Sequence, residues 1–189
     1  MGTFIDTYLE ETKRIIETID RKAIGEVIGC LAPLTRSRGR LFIIGVGGSA
    51  ANASHAVNDF RKIAEIECYT PVDNVAELTA WTNDKGFEHI FSEWLATSRL
   101  AKGDVVMVLS VGGGTGKTSK NLVLAMQAAR SAGAKVVSIV SRGGGMARKL
   151  SDACVLVPVV AGERITPHAE GWQAVILHLV VNALVEGAK

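Results

Sequence analysis

Cysteine is scarce: Cys30, Cys68 and Cys154 are the only three in 189 residues, and they stand far apart. An odd, widely spaced set excludes a disulfide framework and a cysteine zinc site, so each is read as a small buried hydrophobe. Net charge is also scarce. Twenty-one Lys and Arg offset nineteen Asp and Glu, leaving a formal +2. Such a balance gives no reason to expect nucleic acid or an anionic membrane as partner. The one basic cluster, "RSRGR" at Arg36 to Arg40, is short and reads as a solvated turn. No apolar run approaches the roughly 18 residues of a membrane span. The first stretch, "MGTFIDTYLEETKR", is amphipathic and acidic, with no apolar signal core. These absences point to a cytoplasmic protein. Linkers, repeats and low-complexity segments are missing as well, which leaves one domain over residues 1–189, with N-terminal helices in 1–38 and an α/β core in 39–189.

What is present is ordinary globular composition, 48% apolar and 21% charged. Apolar residues at helical spacing predict two helices within residues 3–34, the second capped by Asp20. Short apolar runs then alternate with helical patterns. "RLFIIGV", "DVVMVLS", "AKVVSIVS" and "ACVLVPV" read as buried parallel strands, and "IECYTPV" as a weaker one. Helices are predicted over 49–65, in "NVAELTAWTND" and "FEHIFSEWLATSRL", over 115–132, in "GGMARKLS" and over 167–186, the last with Thr166 as N-cap and Pro167 at its first position. This order predicts a doubly wound, five-stranded parallel sheet of flavodoxin-like form, with helices on both faces. Ligands of such sheets bind beyond the carboxyl ends of the strands, near the switch in strand order.

The stretch "SVGGGTGKTS", Ser110 to Ser119, imitates a Walker A phosphate loop. That loop needs G-x-x-x-x-G-K-[ST]. Counting back from Gly116-Lys117-Thr118, the first glycine should fall at 111, where Val111 stands. No strand ends in the Asp that a nucleotide hydrolase needs for magnesium. The loop still has the makings of an anion site, with glycine amides before a helix and the hydroxyls of Ser110 and Thr115. "GVGGSAANASH", Gly45 to His55, repeats the construction of strand, glycines, serine and helix. Two such loops feeding one crevice suit one small phosphorylated ligand.

His55 and Asp59, four apart, share a helix face. Glu170 and His178 are eight apart on the last predicted helix, about 12 Å along its axis. A histidine on an apolar face is more often a core residue than a ligand. Together the four offer two imidazoles and two carboxylates, types that bind zinc or a similar dication or that serve as acid and base. One metal would require the two side chains of the last helix to lean together, or ligands from different subunits.

These stretches resemble the sugar isomerase (SIS) domain family, most closely the phosphoheptose isomerases, over nearly the whole chain. "GVGGSAANASH" is similar to the family's first phosphosugar loop, "LTAWTNDKGFEHIF" to its central segment, and "LSVGGGTGKTSKNLVLAMQAAR" stands where the family has S-T-S-G-N-S-x-N and a helix. The resemblance implies an enzyme that isomerises sedoheptulose 7-phosphate to a heptopyranose 7-phosphate through an enediol(ate). It implies substrate contacts from Gly47, Gly48, Ser49, Asn52, Asn83 and Asp84, and further ones from Ser110, Gly112, Gly113, Thr115 and Glu170. It implies His55, Asp59, Glu170 and His178 as ligands of a metal, Zn2+ by family habit, with Asp59 and His178 catalytic, and a homotetramer with shared active sites. The alternatives within the family are an enzyme for another sugar phosphate, and a non-catalytic protein binding a phosphosugar or a partner such as the replication initiator.

Several residues depart from the family pattern. Asp59 stands for a longer glutamate and Glu170 for a glutamine; Val111 and Gly112 replace two hydroxyl residues, and Val46 an asparagine. The segment "ERITPHAEG" is unusual, and His168 within it has no assigned counterpart, facing either substrate or solvent.

Overall fold

The structure, a computed structural model, describes residues 2–187. Five parallel strands form one sheet: β1 (Leu41–Gly45), β2 (Cys68–Tyr69), β3 (Val105–Leu109), β4 (Lys135–Ser141) and β5 (Ala153–Val157), in the order β2-β1-β3-β4-β5. Eight helices surround it: α1 (Gly2–Thr18), α2 (Arg21–Leu31), α3 (Gly48–Lys62), α4 (Val75–Lys85), α5 (Ile90–Thr97), α6 (Lys120–Ser131), α7 (Gly145–Leu150) and α8 (Ile165–Glu186). The predicted α/β doubly wound sheet is therefore present. Strand order reverses between β1 and β3, the switch point at which such sheets bind ligands.

Alternation along β1 builds two cores. Leu41 and Ile43 point to one face with Ile15, Val27, Phe60 and Val180. Phe42 and Ile44 point to the other with Phe91, Leu122 and Met126. Side chains of a strand alternate faces, so a strand buried on both sides reads as continuously apolar. The N-terminal helices share the first core with the sheet. Asp20 caps α2 as expected, accepting from the amides of Lys22 at 2.9 Å and Ala23 at 3.2 Å.

Local structure departs from the sequence reading at several places. Helix α6 begins at Lys120, not at 115, because the Thr115 hydroxyl accepts from the amides of Lys117 and Thr118 and closes a turn there. Helix α8 begins at Ile165, with Arg164 rather than Thr166 at the cap. Pro167 is tolerated at the third position because the first amides of a helix have no intrahelical partner. Strand β2 is only two residues long. "RSRGR" is not all solvated: Arg40 donates to Asp104 at 2.7 Å, and Asp104 also accepts from the Arg40 amide, so the pair locks the start of β1 to β3. Of the three free cysteines only Cys68 is fully buried, and burial pushes its thiol well above its usual range.

His168 faces neither substrate nor solvent. It is 4% exposed, 2.7 Å from Glu11 on α1, with its ring stacked on Tyr8. Arg164 donates twice to the same carboxylate, at 2.9 and 2.5 Å. These partners, Arg164 foremost, hold the Glu11 carboxyl down from 4.5 to about 2. A carboxyl depressed by folding adds stability above its unfolded value and loses it as pH falls through the folded value. The wild-type fold should therefore lose stability between about pH 4.5 and 2. Glu11→Gln should be less stable at pH 7, because it strands Arg164 and His168, and should show a flatter acid limb in thermal unfolding. Parallel acid limbs for the two proteins would contradict this account.

Candidate active site

Both glycine loops leave the sheet at its carboxyl edge, one on each side of the switch point. Residues 46–49 follow β1 and residues 110–119 follow β3. They open onto a cavity of about 460 Å³, lined by Val46, Ser49, Ser110, Gly112, Gly114 and Thr115 among others. Ser49 and Ser110 are almost wholly buried, at 1% and 7% exposure. The Ser110 hydroxyl accepts from the Gly113 amide at 3.1 Å, which leaves its own proton for a ligand. The amides of Gly112 and Gly114 donate to no group among the described residues. Gly113 (φ +72°) is a structural member: a side chain there would collide with the carbonyl of Gly144. Backbone bonds from Met146 to Gly114 and from Ala147 to Gly113, both 2.9 Å, fasten the loop to α7. The cavity thus carries hydroxyls and free amides, the chemistry of an anion site.

A second cluster lies on the facing sides of α3 and α8. His55 Nε2 is 3.3 Å, and His178 Nδ1 3.2 Å, from the same Oδ2 of Asp59. The imidazole rings stand edge to face, 5.2 Å apart. Asp59 is buried, while the histidines are about half exposed. One ligand atom from each of the three lies within 4.8 Å of the others. A tetrahedral ion with bonds of about 2.0–2.1 Å to nitrogen or oxygen has ligand–ligand edges near 3.3 Å. The two histidine-to-Asp59 separations match such edges, and the residue types are those that bind such an ion.

Glu170, expected as a fourth ligand, is not in that cluster. Its carboxylate lies against Gly48 at the start of α3, where any side chain at 48 would collide with it. The eight-residue spacing along α8 decides this: Glu170 meets the N-terminus of α3 while His178 meets its middle. Asn52, expected to touch substrate, instead commits its amide to α8, donating to the Glu170 carbonyl at 2.9 Å and Gln173 Oε1 at 3.0 Å. Gly47, at φ +66°, caps α3. Asn83 and Asp84 are exposed on α4, hydrogen-bonded to each other, and do not line the cavity. Two residues were missed from sequence. Gln173 is fully buried with its Nε2 unpartnered, and its place between Glu170 and His178 on one helix was the available signal. Arg142, after β4, lines the cavity, and no motif flagged it.

A 2-1-3-4-5 parallel sheet with a cavity of hydroxyls and amides at its switch point defines a doubly wound α/β protein with a ligand crevice at the carboxyl edge. Residues 4–141 match the family model described as the SIS domain. The chain is 33% identical over 171 residues to the phosphoheptose isomerase of Rhodospirillum rubrum, covering 88% of this chain and 86% of that one. It is 30% identical over 191 residues to the phosphoheptose isomerase of Syntrophotalea carbinolica, covering 95% and 91%. It belongs to the phosphoheptose isomerase family. In fold it is similar to the phosphoheptose isomerase structures from Neisseria gonorrhoeae, with a TM-score of 0.83 at 22% identity over 97% of this chain and 95% of that one, and from Francisella tularensis, with 0.82 at 17% over 98% and 96%.

The contact between Gly48 and Glu170 is open to test. Gly48→Ala places a better helix former in the first turn of α3, so melting temperature should hold. The Glu170 carboxylate must move aside. If its position serves the site, turnover should fall about tenfold or more at unchanged stability; wild-type turnover would show that Glu170 can leave without consequence.

Proposed function

We propose that the protein isomerises sedoheptulose 7-phosphate to a heptopyranose 7-phosphate. The observation that carries this reading is the convergence of His55, Asp59 and His178 on α3 and α8, α3 being the helix whose first turn opens onto the hydroxyl- and amide-lined cavity. The cavity, with Ser49, Ser110, Gly112, Gly114 and Thr115, holds the phosphate and fixes the sugar, which lowers the entropic cost of reaction. Asp59 removes a proton from C1 of the ketose while His178 protonates the carbonyl oxygen on C2. The product of that step is a cis-enediol. His178 then takes the O1 proton and Asp59 returns a proton to C2, which leaves the aldose. Proton transfer by placed side chains is general acid–base catalysis, typically about 10²- to 10⁴-fold per group. In a metal-loaded form the same three residues would instead hold a divalent cation, zinc by donor type, with Glu170 the farther carboxylate left to move the proton. A bound cation supplies positive charge for the oxyanion that develops at C2.

An assembly of several copies, a homotetramer by family habit, belongs to this reading. No described helix is long and apolar enough to cross a membrane. Yet α1 exposes Phe4, Ile5, Leu9 and Ile16, and α8 exposes Val175 and Leu179. Some of these line an apolar groove of about 480 Å³ between α1, α2 and α8. A second copy of this chain would cover them. A monomer in light scattering at micromolar concentration would refute the assembly.

Incubation with sedoheptulose 7-phosphate in deuterated water, followed by NMR, tests the reaction. A new heptose phosphate with deuterium at C2 is expected. Chelation should slow turnover if a cation serves the site. Asp59→Asn and His178→Ala should each lose at least about 100-fold in kcat; wild-type turnover in either would sink these assignments.

A further inference from the structure

We infer that Arg142 is the charged partner of the ligand's phosphate and sets the site's preference for a dianionic end group; this rests on the phosphosugar reading above. Arg142 is the one ionisable residue among those lining the switch-point cavity. The lysine of the Walker-like stretch, Lys117, does not line it, and Lys120 pairs with Glu88 at 3.0 Å. Without Arg142 the cavity offers only neutral donors to a doubly charged group. Charge-assisted hydrogen bonds are about twice as strong as neutral ones, and a guanidinium fork matches phosphate oxygens.

The backbone at this residue carries a cost. Arg142 has φ +53°, in the left-handed region. It follows β4 directly, in a turn closed by the Gly144 amide on the Ser141 carbonyl at 3.0 Å. Three glycines follow it, at 143, 144 and 145, yet the left-handed position next to the strand carries arginine. For a residue with a side chain that conformation costs roughly 1 kcal/mol. Glu65, Arg99 and Ser119 adopt the same conformation, and of these four only Arg142 brings a charge to the cavity wall. Arg40 and Arg164 are paired with Asp104 and Glu11, whereas no carboxylate among the described residues pairs with Arg142. Its turn is held in place: Ser141 donates its amide to Val111 at 3.0 Å and its hydroxyl to Val157 at 2.8 Å. The cation is therefore presented by the same hydrogen-bonded frame that shapes the glycine loop.

Arg142→Gly separates strain from function, because glycine relaxes the turn while removing the charge. Its melting temperature should equal or exceed that of the wild type. Its affinity for inorganic phosphate, measured by calorimetry, and its KM for sedoheptulose 7-phosphate should each worsen roughly 10- to 100-fold. Arg142→Lys should recover part of both losses, since it restores charge without the fork. Phosphate affinity and KM within twofold of wild type in Arg142→Gly would overturn the inference, as would a wild-type protein that binds no phosphate at millimolar concentration. A wild type that binds phosphate, loses it in Arg142→Gly and isomerises nothing would sink the proposed reaction and uphold the role of Arg142.

Discussion

The in-register pairing of β1 with β3 is the constraint from which the site follows. Leu41 pairs with Val105 and Gly45 with Leu109, so both strands end at one level. Their following loops must then open onto the same crevice, and because strand order reverses here no crossover helix covers it. The Arg40–Asp104 pair secures the other end of the same two strands and helps hold their register.

Helices α3 and α8 add the chemistry. Helix α3 runs from the first loop, so its start belongs to the cavity and its middle to Asp59. Helix α8 lies along it, tied by the Asn52 amide to Glu170 and Gln173. That tie sets which turn of α8 meets which turn of α3, and with it the 3.2 Å approach of His178 to Asp59. The buried Glu11 and His168, with the partly exposed Arg164, then fasten the N-terminus of α8 to α1. The switch-point cavity and the His–Asp–His cluster are thus parts of one frame.

Much of this was legible in the residues. Short continuous apolar runs and helical stripes gave the element order, because burial on both faces leaves no polar position in β1 or β3. The failed glycine spacing at Val111 separated this loop from a nucleotide-binding one. His55 and Asp59 were legible as a pair, since four residues is one helical turn. The reading went astray where local sequence is overridden by tertiary contact. Thr115 looked like a helix start but closes a turn of its own. His168 looked like a surface or substrate residue, yet a partner 157 positions away buries it.

By itself, the sequence determined the α/β class, the two glycine loops, the phosphoheptose isomerase family and the sharing of one helix face by His55 and Asp59. These depend on spacing within single elements and on motifs. Only the tertiary structure decided which of the four expected ligands converge, that Glu170 turns toward Gly48, that Asn52 holds a helix, and that Arg142 reaches the cavity. Those facts depend on how α8 slides along α3 and on where the loop after β4 comes down, and long-range packing fixes both.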